Sequence, residues 1–116
     1  MMKTSSCAFL ALVVLCANAQ AMSLRELRSL ESTQEGGDLH ARYYLVGGME
    51  ALLESEAFAV RAGAAPRICV NGRRLEPHMA KDLFDTERRR NADVYEADIP
   101  ATLVLLNALK TVYPCN

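Results

Sequence analysis

Few residues in this chain are of a type that does chemistry. They are Cys69 and Cys115, His40 and His78, an aspartate pair, and two arginine clusters. Thiols can bridge, hold a soft metal or act as nucleophiles, but the two histidines are scattered and give no metal-ligand spacing with either cysteine. Asp82 and Asp85 stand three apart, so a helix would put them on one face, where two carboxylates can bind a cation or share a proton. Solvated helix acids are far commoner. Ser23, Ser29, Ser32 and Ser55 belong to no nucleophile motif. His40 falls at a helix start and His78 in a first helical turn, positions that suit surface or capping roles. The expectation is therefore no catalytic residue, no metal and no cofactor. A small hydrolase built on Asp82 or His78 is the least favoured function.

The arginines offer binding chemistry instead. Arg73-Arg74 lie in a loop beside Cys69, and Arg88-Arg89-Arg90 close a charged helix. Cations at a helix C-terminus complement its dipole, and Asp85 and Glu87 are near enough to pair with them. Arginine is also enriched in protein interfaces. Arg73 and Arg74 are the stronger candidates for a partner-binding surface, because a loop held by a bridge loses less entropy on binding. Arg88, Arg89 and Arg90 come second.

What positions these residues begins with a leader. Lys3 precedes an apolar run from Ala8 to Ala17, and Ala17-Asn18-Ala19 is a small-x-small cleavage site before Gln20, with Ala19-Gln20-Ala21 as an alternative. Residues 1–19 read as a signal peptide and 20–116 as one exported domain. The apolar run is too short to span a bilayer, which needs about 20 residues. Leu15 before Cys16 disfavours a lipid anchor. Removing the leader takes Cys7 and Cys16 from the four cysteines, leaving one intramolecular pairing, Cys69 with Cys115. It also removes Lys3, so 12 basic residues face 14 acidic ones and the mature chain carries about −2. That balance, with export, argues against a nucleic-acid partner.

The rest predicts an all-α fold, a small bundle of about four helices with one disulfide. Ser23 can cap a first helix whose stripe is Leu24, Leu27 and Leu30, ended by Gly36-Gly37, and Asp38 can cap the second. The second helix spans about 39–62, with Leu39, Tyr43, Val46, Met49, Leu53, Ala57 and Val60 at spacings of three and four. Gly47-Gly48 inside it implies either the close approach of another helix or a kink. Residues 63–75 read as a loop with an Asn71-Gly72 turn. Pro77 opens a third helix that buries Met79, Leu83 and Phe84 and turns Lys81, Asp82, Asp85, Glu87 and Arg88 to Arg90 toward water. Val94 and Tyr95 then tuck against the core. Asp98 and Pro100 announce a fourth helix, the most apolar, which Pro114 stops.

The order of these pieces resembles the type VI secretion amidase immunity family. The likeness rests on Tyr44-Leu45-Val46-Gly47-Gly48-Met49-Glu50-Ala51, then Ile68-Cys69-Val70, a charged third helix, and Leu105-Leu106-Asn107-Ala108-Leu109 closing on Tyr113-Pro114-Cys115. It covers roughly 42–115. It implies a soluble periplasmic helical protein that binds a secreted peptidoglycan amidase effector and occludes its cleft, in many members as a homodimer. It implies no role for nucleic acid, or for membrane once the leader is cut. One departure stands out: Val70-Asn71-Gly72 follows the first cysteine where the family often has a proline, and such loops carry recognition. The alternative function is a periplasmic acid-stress chaperone, which would expose apolar surface when carboxylates protonate.

Overall fold

The computed structural model describes residues 21–116; the leader, with Cys7 and Cys16, lies outside the described residues. Four helices follow in order: α1, Leu24–Thr33; α2, Gly37–Arg61; α3, Met79–Arg90; and α4, Ala101–Val112. Among the described residues there is no strand, only one antiparallel bridge between Ser23 and Pro100. No described helix is long and apolar enough to cross a membrane.

Ser23 starts α1 as its sequence implies, through a capping box. Its hydroxyl accepts from the Glu26 amide at 3.2 Å, and its own amide donates to Glu26 Oε2 at 2.7 Å. The backbone donor at Ser23 holds the Glu26 carboxyl below the usual range. The same segment clamps the approach to α4: the Leu24 amide donates to Ile99 O at 2.9 Å, the Arg25 amide to Ala97 O at 2.8 Å, and the Ala101 amide to Met22 O at 2.9 Å.

The α1–α2 corner differs from expectation by one residue. Gly36 is the N-cap, at φ 69°, and Gly37 already belongs to α2. Asp38 therefore does not cap α2; it sits in the first turn, where its charge favours the helix N-terminus. Gly37 has a steric reason to be glycine, since a Cβ there would lie 1.8 Å from Leu30 O. The two helices approach so closely at their join that no side chain fits.

Helix α2 runs unbroken for 25 residues past Gly47-Gly48. A Cβ at Gly48 would meet Leu105 and Thr102 at 3.5 and 3.6 Å, so α4 packs here, at ordinary contact distance rather than through a kink. The buried face of α2 is rotated from the expected one. Ala41, Leu45, Met49 and Glu56 are buried, while Leu39, Tyr43 and Val60 are exposed, and Val46, Leu53 and Ala57 are half-buried. The reason is that α1 and α4 both lie on the Ala41–Leu45 side, and small Ala41 lets them come close.

Helix α4 is the centre of the core. Ala101, Val104, Leu105, Ala108 and Leu109 are buried, against Leu24 and Leu27 of α1, Leu45 and Met49 of α2, and Ala80 and Phe84 of α3. Helix α1 packs on α2, α3 on α4, and α2 on both α3 and α4.

Several expectations for the third helix and its exit need correction; Asp85 and Arg88, expected in water, are half-buried. Glu87 does not face water: it is buried, and its Oε1 accepts from Asn91 Nδ2 at 2.9 Å and Tyr95 OH at 2.7 Å. Lys81 is also inward, 3.1 Å from Glu31 of α1 and 2.7 Å from Asp85. Val94 points outward, 64% exposed. Tyr95 does tuck in; its hydroxyl also accepts from Asn107 Nδ2 at 3.0 Å, joining the connection to α4. Desolvation, then Glu87, push the Tyr95 phenol above its ordinary pKa.

Candidate functional site

Between the described helices, the longest stretch without regular structure is the loop from α2 to α3, and it is tied down at several points. It leaves α2 through Gly63, at φ 99°, with the Ala64 amide donating back to Ala59 O at 2.9 Å. Glu56 then anchors it from the last turns of α2. Glu56 Oε1 accepts from the Arg67 amide and, at 3.3 Å, from the Ile68 amide. Oε2 accepts from Arg67 Nε at 3.1 Å and Nη2 at 2.8 Å. The carboxyl is held below the usual carboxylate range chiefly by the Arg67 backbone donor. Burial works the other way, and the Arg67 guanidinium and Ile68 amide add to the lowering. Two backbone and two guanidinium donors converge on the carboxylate, so hydrogen bonding outweighs desolvation.

One residue on, the loop is tied to the end of α4. Cys69 and Cys115 form a disulfide with a Cα–Cα distance of 5.1 Å, and the Cys69 amide donates to Tyr113 O at 2.8 Å. The pairing expected from the cysteine count is present. Val70 to Arg73 then make a tight turn, closed by the Arg73 amide on Val70 O at 3.0 Å. Asn71 and Gly72 both have positive φ, 53° and 75°, the backbone that Asn-Gly supports.

The two loop arginines differ. Arg73 folds back: its Nε donates to Val70 O at 3.0 Å, and its guanidinium sits 5.0 Å from the centroid of the buried Tyr113 ring. No carboxylate lies within ion-pair distance of it among the described residues. Arg74 extends into solvent, its side chain 90% exposed and 3.9 Å from Glu76. The loop thus offers one cation held in position and one that reaches into solvent beside Glu76.

The second arginine run is not part of this site. It lies at the far end of α3, about 18 Å of helix from the loop, and it splits. Arg88 turns inward toward Asp85 at 3.7 Å, Arg89 reaches Thr86 at 3.5 Å, and Arg90 is exposed. Asp85 is taken up by Lys81 and Arg88, so it forms no pair with exposed Asp82. His40 and His78 are exposed, His78 as the N-cap of α3 without a side-chain bond. Ser23 is engaged in the capping box, and the Ser32 hydroxyl donates to Arg28 O at 2.9 Å. No group of three His, Cys, Asp or Glu residues with metal-holding geometry occurs among the described residues.

Glu56 and Tyr113 hold this loop in place, and neither is among the binding residues expected from the sequence. Glu56 had a visible signal: it continues the spacing Ala41, Leu45, Met49, Leu52 by four, which puts an acid on the buried face. Tyr113 had none beyond its place before Pro114-Cys115. No family model, no curated protein and no solved structure matches this chain.

Proposed function

We propose that this is a binding protein without chemistry of its own, an immunity protein that occludes the catalytic cleft of a type VI secreted cell-wall amidase in the periplasm. The observation that supports it best is the doubly anchored loop. Glu56 of α2 and the disulfide to the end of α4 fix residues 67–69, immediately before the turn that carries Arg73, folded over Tyr113, and the exposed Arg74. Steric occlusion needs a rigid element that keeps its shape on docking, and a fixed loop supplies it at low entropic cost. The motif resemblance described above supplies the identity of the target, an enzyme of peptidoglycan cleavage. Arg88, Arg89 and Arg90, at the other end of α3, belong to a second contact region in this proposal.

The test is inhibition and calorimetry with a type VI amidase effector from the same source. Wild-type protein binds and stops peptidoglycan cleavage. The R73E/R74E double variant loses affinity about thirtyfold or more, the size of one interface hot spot. An amidase that cleaves unhindered in excess protein overturns the proposal, and unchanged affinity in the double variant overturns the loop assignment.

A second reading, an acid-stress chaperone, is favoured by one feature: a carboxylate, Glu56, helps to hold the loop residue Ile68, whose apolar side chain is buried. Protection of an aggregating client at acid pH but not at neutral pH would establish it in place of the first.

A further inference from the structure

Beside the arginine loop runs an open groove of about 480 Å³, between the C-terminal half of α2 and the loop itself. Its floor and walls are apolar, made by Leu53, Ala57, Val60, Pro66, Val70 and Leu75. The volume falls within the roughly 300–1,000 Å³ of ordinary ligand pockets, enough for a short piece of chain rather than a single methyl group. On α2, Leu53, Ala57 and Val60 follow one another at spacings of four and three. The stripe that resembles a core face by sequence is here the wall of a surface groove.

The charges around it have one sign to spare. Glu56, the only carboxylate in the lining, is buried and has both oxygens occupied by Arg67 and the loop amides. Arg61 stands at one edge, paired with Glu54 at 3.2 Å; both side chains are well exposed, 63% and 77%, so this pair is cheaply exchanged. Arg73 stands at the other edge with no carboxylate partner, held in place over Tyr113. An apolar trough between a free guanidinium and an easily released one is complementary to a large apolar side chain with a neighbouring carboxylate.

We infer that this groove is a docking site for a short protein segment presenting one large apolar side chain next to an Asp or Glu. The apolar side chain enters between Val60 and Val70, and the carboxylate meets Arg73. The inference deepens the proposed function and rests on it in taking the loop as a protein-binding element. It adds that recognition extends from the loop tip into the groove, so the segment's apolar residue, and not only its charge, selects the partner.

The experiment uses the full mature protein with its bridge intact, isotope-labelled, and two blocked peptides as probes. One is acetyl-Asp-Leu-Phe-Asp-amide and the other acetyl-Lys-Leu-Phe-Lys-amide. The acidic peptide should shift the methyl resonances of Leu53, Val60 and Val70 in a saturable way, and the lysine peptide should not. Arg73→Ala should weaken the acidic peptide about fivefold, the size of a favourable surface ion pair. Val60→Asp, at a position already 41% exposed and so tolerant in folding, should abolish binding. Phe58→Asp, 67% exposed on another side of α2, should leave it unchanged. No methyl shifts with the acidic peptide, equal shifts with both peptides, or equal loss in Val60→Asp and Phe58→Asp each overturn the inference. Peptide binding in the groove without any amidase binding would refute the proposed function alone. Loop-dependent amidase binding that Val60→Asp leaves intact would refute the groove alone.

Discussion

Replacing Glu56 by glutamine tests the physical argument for the loop most directly. Glutamine keeps the volume and one acceptor oxygen. It removes the charge and puts an NH2 group where Oε2 meets two guanidinium donors, at 3.1 and 2.8 Å in the native protein. Hydrogen bonds to a charged group contribute about 1.5–3 kcal/mol when buried. Arg67 is half in solvent, its side chain 55% exposed, so its share must be discounted toward the value of a surface pair, about 1 kcal/mol or less. The amides of Arg67 and Ile68 keep a weaker, neutral acceptor. Together these put the loss at about 2 kcal/mol near neutral pH. With a urea slope of about 1 kcal/mol/M for a chain of this size, the midpoint moves down by about 2 M.

The pH dependence fixes the cause. The folded-state pKa of Glu56 lies below the ordinary value, so the folded protein holds fewer protons than the unfolded one in the window between the two. Its contribution is complete above the unfolded-state pKa, about 4.3, and is lost as pH falls through the folded-state value. The gap between wild type and Glu56→Gln should therefore stay constant from neutral pH to about pH 5 and then narrow. Urea titrations at several pH values, with amide exchange at Arg67 and Ile68 as a local readout, would measure it. A gap that does not narrow with acid, or one below about 0.5 kcal/mol at neutral pH, would refute the claim that the carboxylate anchors the loop.

Other outcomes follow from the same structure. Gly37→Ala should destabilise by about 3 kcal/mol or more, because a Cβ cannot coexist with Leu30 O at 1.8 Å and the α1–α2 corner must open; thermal melts check it. Gly47→Ala meets nothing within 4 Å and should stabilise by about 0.5–1 kcal/mol through helix propensity in the same assay. Removing the bridge with Cys69→Ala and Cys115→Ala, 46 positions apart, should lower stability by about 4 kcal/mol on loop-closure grounds, measured by denaturation under oxidising conditions. Tyr95→Phe should lower stability by about 1 kcal/mol, since it leaves Glu87 and Asn107 each without one partner.

The helices were legible because their signals are local. Ser23, Pro100 and Asn71-Gly72 each act on the backbone within a turn, and each does so where the sequence places it, whereas Pro77 falls just before the His78 cap rather than inside the first turn of α3. The bridge was legible because only two cysteines follow the leader. What the sequence did not convey was which face of α2 lies inside. Two apolar stripes share that helix, Leu39–Tyr43–Val46 and Ala41–Leu45, both leading to Met49, and the spacing points to the first. Packing chose the other, because α1 and α4 converge on small Ala41 and on Gly48. Such a choice depends on neighbours distant in sequence. Glu87 was misjudged for the same reason: its partners, Asn91 and Tyr95, come from a connection whose path only the fold decides. The loop arginines are visible in the sequence, but the difference between Arg73 and Arg74 comes from Tyr113, forty residues later by chain and brought beside the loop by the bridge and by the Cys69 amide.

The disulfide also divides the chain mechanically. It closes a ring holding all of α3 and α4 and leaves α1 and α2 outside as a tail. A force applied at the two ends can peel the tail away, beginning with the clamp of Leu24 and Arg25 on Ile99 and Ala97. It cannot extend the 46-residue span inside the ring, which withholds about 160 Å of contour until the bridge is reduced. Stretched singly, the oxidised and reduced forms would differ by that length, and the helix at the centre of the core would be shielded from the pull in one and exposed to it in the other.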